Sequence, residues 1–358
     1  MGRQPALEGV GLSFWRHRRV LLTGHTGFKG SWLCLWLERL GAQVTGIALP
    51  PATEPSLFAL LSPWPALAHR TADIRDASIV PAIAASNAEI VIHMAAQSLV
   101  PTGHRDPVGT FATNVMGTVH VLQGGLALPS LKAMLIVTTD KVYANPDSGR
   151  AFIEDDPLGG NEPYGSSKAA AELAVDAYRA AYASKGIGLA TARAGNVVGG
   201  GDWAADRIVP DLVRALAAGE PVVLRHPEAV RPWQHVLEPL AGYLAYGQRL
   251  AEEPAQAPPT LNFAPTEDAC RQVIDVVRQF TARFNDHHGW KPAPNTAFRE
   301  ASTLRLAAGK AAATLGWRPR LDFAAATGWT ADWYAAHRSG ADMRAYSLAQ
   351  IERYEALG

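Results

Sequence analysis

Apolar residues in this chain fall into short runs broken by glycine-bearing turns. Arg19 to Thr23 is such a run and ends in a glycine-rich turn, which predicts a first strand. Ser31 to Leu40 carries apolar residues at helical spacing and stops at Gly41, a usual helix terminator. Val44 to Leu49 predicts a second strand, and a third is expected just before Asp73. Ile90 to Met94, Met134 to Thr139 and Leu189 to Arg193 are further strand candidates, with a helix expected over Thr110 to Leu122. Strands alternating with helices predict an α/β fold, a doubly wound (Rossmann) parallel sheet. After Gly199 the rhythm breaks and Gly and Pro become frequent. A smaller C-terminal substrate-binding lobe is expected from residues 194–231 and 261–358. The Rossmann domain would then take residues 14–193, with 232–260 returning to it. Ala251 to Pro259, rich in Ala and Pro, reads as a surface connection, and no internal repeat is visible.

Composition narrows the classes. The 358 residues are 48% apolar and 18% charged, which fits a globular enzyme in two lobes rather than a disordered chain. Lys plus Arg and Asp plus Glu both number 33, and Arg16 to Arg19 is a short basic cluster rather than a stripe. Nucleic acid is therefore not an expected partner. Cys34 and Cys270 have no metal-ligand spacing, so no metal is expected and reduced thiols in a cytoplasmic protein are. Neither a signal peptide nor a membrane-spanning run is read from the sequence.

Gly24, Gly27 and Gly30 form a GxxGxxG turn between a predicted strand and a predicted helix. Glycines there allow a tight turn and bring backbone N–H groups to a pyrophosphate at the helix start. Asp73 and Ile74, beyond the third strand, are placed to meet an adenine, although Asp73 alone is equally a helix cap. A carboxylate for the adenosine ribose is expected about 20 residues past the glycines. No Asp or Glu occurs from Gly41 to Thr53, where Pro50 and Pro51 stand instead. NAD is the expected cofactor, and NADP stays open.

Tyr164 and Lys168 lie one helical turn apart, so both side chains share a face. A lysine ammonium beside a phenol is expected to lower its pKa from about 10, making Tyr164 a base toward an alcohol. Alone, the pair is also compatible with an aromatic at a helix start and a surface lysine. Thr138, Thr139, Asp140 and Lys141 close the preceding predicted strand, which puts a hydroxyl, a carboxylate and an amine at a carboxyl strand end. Asp140 also suits a strand-end cap.

These strings resemble the cytidine-diphosphate-glucose 4,6-dehydratases, of the extended short-chain dehydrogenase/reductase type. GHTGFKGSW within Val20 to Trp32, HMAAQ (His93 to Gln97), NVMGTVH (Asn114 to His120), TTDK, RAGNVVGGGDW (Arg193 to Trp203) and RPWQHVLEPL (Arg231 to Leu240) carry the likeness. It runs from about Phe14 to Leu240 and continues weakly to Trp317. Lys141 stands where sister dehydratases for other sugar nucleotides have glutamate. The resemblance implies a redox-neutral conversion of CDP-glucose to the 4-keto-6-deoxy sugar, in deoxysugar biosynthesis for cell-surface polysaccharide. It implies that Tyr164 takes the C4 hydroxyl proton, Thr139 binds the C4 oxygen, Asp140 protonates the departing C6 hydroxyl and Lys141 assists at C5. It gives the cofactor Gly24, Thr26, Gly27, Phe28, Gly30, Asp73, Ile74, Ala95, Ala96, Gln97, Tyr164 and Lys168. It gives the substrate Asn196 and Arg231, with Arg207 beside them. Trp203 is either a core or interface tryptophan or a flank of the substrate. His93 and His235 are read as structural.

The chain departs from the pattern after Gln97, where an arginine and a tyrosine are usual and Pro101, Gly103 and His104 stand instead. An epimerase on the same scaffold would use Tyr164 and Lys168 without needing Asp140 and Lys141. A degenerate nucleotide-binding homologue is the non-enzymatic alternative. The resemblance also implies a homodimer or dimer of dimers, paired through the helices Thr110 to Leu122 and Tyr164 to Tyr182.

Overall fold

The computed structural model describes residues 12–284, 289–293 and 303–357. Seven parallel strands form the main sheet: β1 Arg19–Thr23, β2 Gln43–Ala48, β3 Leu67–Thr71, β4 Ile90–His93, β5 Ala133–Val137, β6 Gly188–Ala194 and β7 Thr260–Phe263. Their order is β7-β6-β5-β4-β1-β2-β3. β4 and β5 are buried along their whole lengths, as unbroken apolar runs with helices on both faces should be. Helices α1 Phe28–Arg39, α2 Gly117–Leu126, α3 Pro163–Ala183, α4 Ile208–Ala218 and α5 Leu237–Glu252 carry the connections.

The sheet reverses its winding between β1 and β4. A crevice opens there at the carboxyl ends of the strands, the usual ligand site of open α/β sheets. Each strand predicted from the apolar runs is present within a residue or two. The helix expected over Thr110 to Leu122 is real but compound. Pro107–Phe111 is α-helical, Ala112–Met116 makes a π turn, and α2 follows. A π turn inserts an extra residue, which no periodicity in the sequence announces.

Beyond Gly199 the expected smaller lobe consists of short pairs. Val222–Leu224 runs parallel to Trp290–Pro292, and Val230–Pro232 runs antiparallel to Cys270–Gln272. The expected boundary at Leu261 needs correction, because it falls inside β7, which hydrogen-bonds to β6 at the edge of the main sheet. Helices α6 Phe323–Arg338 and α7 Met343–Glu355 then return to the Rossmann half. Trp36 meets the Tyr354 ring edge-on, and Glu238 on α5 accepts from Tyr354 and from the Leu321 backbone. One apolar core runs from Trp15, Trp32 and Trp36 to Trp329 and Trp333, so the main sheet's helices and the C-terminal helices share one interior. Residues 285–288, 294–302 and 358 of the expected lobe lie outside the described residues. Among the described residues no helix is long and apolar enough to cross a membrane.

Candidate active site

Strand ends β1 to β6 converge on a cavity of about 760 Å3, within the range of small-molecule sites. Gly24, Thr26, Gly27, Phe28, Gly30, Asp73, Ile74, Ala95, Ala96 and Gln97 all line it, as do Thr139, Asp140, Lys141, Tyr164, Lys168, Asn196, Arg207 and Arg231. Sequence positions as far apart as Gly24 and Val273 thus reach one cavity. Trp203 is the exception. It packs edge-on to Tyr334 and beside His337, outside the cavity wall, so the reading that places it against the substrate is not met.

The glycine turn is built for close approach. Gly24 has φ +74°, and a Cβ there would stand 2.7 Å from the Ala95 nitrogen. A Cβ on Gly30 would meet the Gly24 carbonyl oxygen at 2.1 Å. α1 starts at Gly27 with no side chain capping it, so its first N–H groups face the cavity for an anion. Gly24, Gly27 and the start of α1 fit a dinucleotide pyrophosphate. Thr26 donates to the Leu49 carbonyl, fixing the turn to the end of β2. The wall there is Leu49, Pro50 and Ala52, without a carboxylate for a ribose. Asp73 is held by Arg75 through its side chain and backbone, at 2.6–2.9 Å. Gln97 lines the cavity, but its amide binds Thr110 and the Leu99 N–H, so the side chain secures its own loop.

α3 begins with Pro163 in its first turn and with the Glu162 carboxylate accepting from the Tyr164 and Gly165 N–H groups, at 2.7 Å each. A Cβ on Gly165 would stand 2.6 Å from the Lys141 carbonyl oxygen, so glycine lets the helix start pack on the turn after β5. Asn114, in the π turn, donates to Ser167 and accepts from the Gln97 N–H, tying α3 to the loop after β4. Gly103 lets the short helix Val100–Arg105 lie against Pro163 and Tyr164. The Pro101 to His104 departure thus builds a packing contact with the start of α3.

The expected lowering of the Tyr164 pKa is not met. Burial pushes the phenol up to about 12, and the Thr139 hydroxyl, hydrogen-bonded to it, only partly opposes this. Lys168 donates instead to the Val137 carbonyl at 2.9 Å, and burial brings its amine down to about 8. Asp140 is the converse case. Thr139 donates to its Oδ1 at 2.8 Å, while Oδ2 is buried without a partner. Burial raises the Asp140 pKa and outweighs the nearby Lys141 and Arg231 charges, so the proton stays on longer than on an ordinary carboxylate.

His93 and His235 are structural, as read from the sequence. His93 sits between Thr23 and Thr118 at 2.7 and 3.1 Å, and burial brings it down to about 3. His235 lies between Trp32 and Trp329. Two features escaped sequence reading. Lys29, inside the glycine motif, is a buried amine that lines the cavity and donates to Tyr243 at 2.9 Å, with its pKa brought down to about 7, mainly by burial. Glu172 stands one turn beyond Lys168 in a buried ion pair with Arg193. Neither position breaks an apolar pattern strongly enough to be seen without coordinates.

Comparison with known proteins follows the same lines. The sequence profile of the NAD dependent epimerase/dehydratase family matches residues 20–258. The CDP-glucose 4,6-dehydratase of Salmonella typhimurium is 42% identical over 349 residues, covering 96% of this chain and 97% of that one. The dTDP-glucose 4,6-dehydratase of Streptomyces antibioticus is 30% identical, covering 89% and 93%. Among solved structures, the dTDP-glucose 4,6-dehydratase DesIV of Streptomyces venezuelae, with NAD and TYD bound, matches with a TM-score of 0.76. It is 24% identical and covers 90% of this chain and 98% of its own. The epimerase Mth375 of Methanothermobacter thermautotrophicus matches with a TM-score of 0.84 at 19% identity, covering 96% and 99%.

Proposed function

This chain belongs to the NAD dependent epimerase/dehydratase family, and on that basis we propose that it is an NAD-dependent lyase converting CDP-glucose to CDP-4-keto-6-deoxyglucose and water. The observation that carries the choice of dehydration is Asp140, a buried carboxyl with one free oxygen and a raised pKa in the wall that also holds Tyr164 and Lys168. A 4-epimerase has no use for that acid. A panel of CDP-, dTDP- and UDP-glucose, with products identified by mass and by sugar NMR, tests the assignment. Dehydration of the CDP sugar in preference to the others is expected, and C4 epimers as the only products would overturn it.

The residues act in sequence. Tyr164 takes the proton of the C4 hydroxyl, with Thr139 donating to the C4 oxygen and opposing the high pKa that burial imposes on the phenol. Gly24, Gly27, Phe28 and Gly30 would hold NAD, which would supply a hydride acceptor toward C4 and a hydride source toward C6. The C4 ketone acidifies C5, where Lys141 assists proton removal and, once hydride has reached C6, the return of that proton. Asp140 gives its proton to the C6 hydroxyl, so water rather than hydroxide departs. Arg231, Arg207 and Asn196 supply the grip on the diphosphate. Residues 14–193 with 232–260 carry the cofactor, and the segment from 194 with the C-terminal part encloses the sugar nucleotide.

Gly24, Gly27, Phe28 and Gly30 hold the pyrophosphate, and Asp73 and Ile74 face the adenine. The lining after β2 offers Leu49, Pro50 and Ala52 and no carboxylate for the ribose, and Arg75 also lines the cavity. Weak NAD binding is therefore expected, with NADP bound within about tenfold, the equivalent of about 1.4 kcal/mol. Calorimetric titration with both cofactors checks this, and tight NAD binding with no NADP binding would contradict it.

The protein is proposed to be cytoplasmic, in keeping with two free cysteines. It is proposed to form a homodimer, or a dimer of dimers, through α3 and the compound helix that includes α2. Val108, Phe111, Met116 and Leu173 are exposed large apolar residues on those helices, and such a cluster favours a protein interface. The Met116→Glu/Leu173→Glu variant is expected to halve the particle mass in light scattering. A dimer of unchanged mass would exclude this face.

A further inference from the structure

We propose that Glu172 is a positioning residue of the catalytic centre, bracing the helix that carries Tyr164 and Lys168 against the strand end that carries Thr139 and Asp140, and balancing the Arg193 charge behind it. Glu172 lies four residues beyond Lys168, on the same face of α3. It is 1% exposed, and all its hydrogen bonds go to functional elements. Oε1 accepts from Thr138 at 2.6 Å and from Arg193 Nε at 2.9 Å. Oε2 accepts from Thr191 at 2.7 Å and from Arg193 Nη2 at 3.0 Å. One carboxylate therefore joins α3, the end of β5 and β6. Lys168, donating to the Val137 carbonyl, makes a second tie between α3 and β5 beside it.

A buried ion pair of this kind is weak as a source of stability, since both ions lose their hydration. Its value is in fixing geometry and charge. Around the Glu172–Arg193 pair stand Lys168 on the helix of Glu172, Tyr143 and Glu154 after β5, Thr191 and Thr138, and Tyr246 on α5 with Arg179 beyond it. Burial lowers the Lys168 pKa, and Glu172 is the charge that opposes this fall. Glu172→Gln keeps the size and most hydrogen bonds but leaves the Arg193 charge unbalanced. A buried positive charge lowers the pKa of every group in reach, ammonium, phenol and carboxyl alike. The whole pH profile of turnover then moves toward acid, whichever groups form its limbs. A purely structural role would lower the rate without moving the profile.

The inference rests on the dehydratase reading, so the test uses a readout that needs no turnover. The Lys168 13Cε resonance of lysine-labelled protein, assigned by its loss in Lys168→Arg, is titrated in wild type and variants. In Glu172→Gln the Lys168 midpoint is expected to fall by about one pH unit, and the kcat profile by a similar amount. In Glu172→Gln/Arg193→Gln, which removes both charges, the midpoint returns toward wild type. An unmoved midpoint in folded Glu172→Gln would overturn the proposal. If that variant does not fold, Glu172→Asp decides: the charge remains, so the midpoint should hold while kcat falls, and a displaced midpoint would overturn it. A fall in the midpoint with wild type inert toward CDP-glucose would sink the dehydratase reading and leave the brace standing.

Discussion

Replacing Tyr164 with phenylalanine is expected to lower kcat by at least ~100-fold, the usual loss when a general base is removed. The change deletes one hydroxyl from a side chain that is 9% exposed, so packing survives. The proposed diphosphate contacts through Arg231, Arg207 and Asn196 are untouched, so KM should change little. Burial holds the phenol up at about 12, and the proton transfer must be helped by the Thr139 hydroxyl, which opposes that rise. Turnover in the native protein should consequently rise with pH as the phenolate becomes accessible. The Tyr164→Phe variant should lose the rising limb along with the rate. Near-native turnover in this variant would remove Tyr164 from the mechanism.

Asp140→Asn is expected to separate the reaction into halves. In the proposed mechanism oxidation at C4 calls on Tyr164, Lys168 and Thr139, none of which is altered. Water loss needs a proton for the C6 hydroxyl, and asparagine has none to give. The substitution is isosteric, and Thr139 still finds an oxygen acceptor where Oδ1 stood. Mixed with NAD and CDP-glucose, the variant should accumulate the absorbance of reduced nicotinamide, with little deoxysugar released. An epimerase would show no such arrest, since its ketone is reduced again without loss of water. Formation of the 4-keto-6-deoxy product at the native rate would mean that the proton comes from elsewhere, with Lys141 the next candidate. The pH dependence has a fixed sign. Burial raises the Asp140 pKa, so the acid form persists above the ordinary carboxylate range and the dehydration step weakens as pH climbs past it.

Much of this architecture was legible from local pattern, because buried parallel strands are apolar along their whole length. β1, β4, β5 and β6 could be read directly, and the glycine turn announced itself through residues that no Cβ could replace. β3 was harder, since as an edge strand it is mostly exposed. β7 was missed because its four residues lie far along the chain, past a Pro-rich connection, and only pairing with β6 reveals them. At the site, residue types and their spacing located Tyr164, Lys168, Thr139 and Asp140. Their ionisation was not legible, because it follows from burial. The expected fall in the Tyr164 pKa assumed that Lys168 faces the phenol, whereas its amine turns to the Val137 carbonyl. Trp203 illustrates the same limit. Its neighbours in sequence belong to the cavity, but its ring turns toward Tyr334 and His337. Glu172 and Lys29 depend on contacts across the fold, with Arg193, Thr138, Thr191 and Tyr243, that no sequence spacing encodes.

The central claim is redox-neutral dehydration of CDP-glucose. It is tested most directly by incubating the protein with CDP-glucose and NAD far below the substrate concentration, while following reduced nicotinamide and the base-induced absorbance of a 4-keto-6-deoxy sugar together. Complete conversion of the sugar with no net reduced nicotinamide is the expected result. Product limited to the NAD supplied, or no keto-deoxysugar at all, would contradict it.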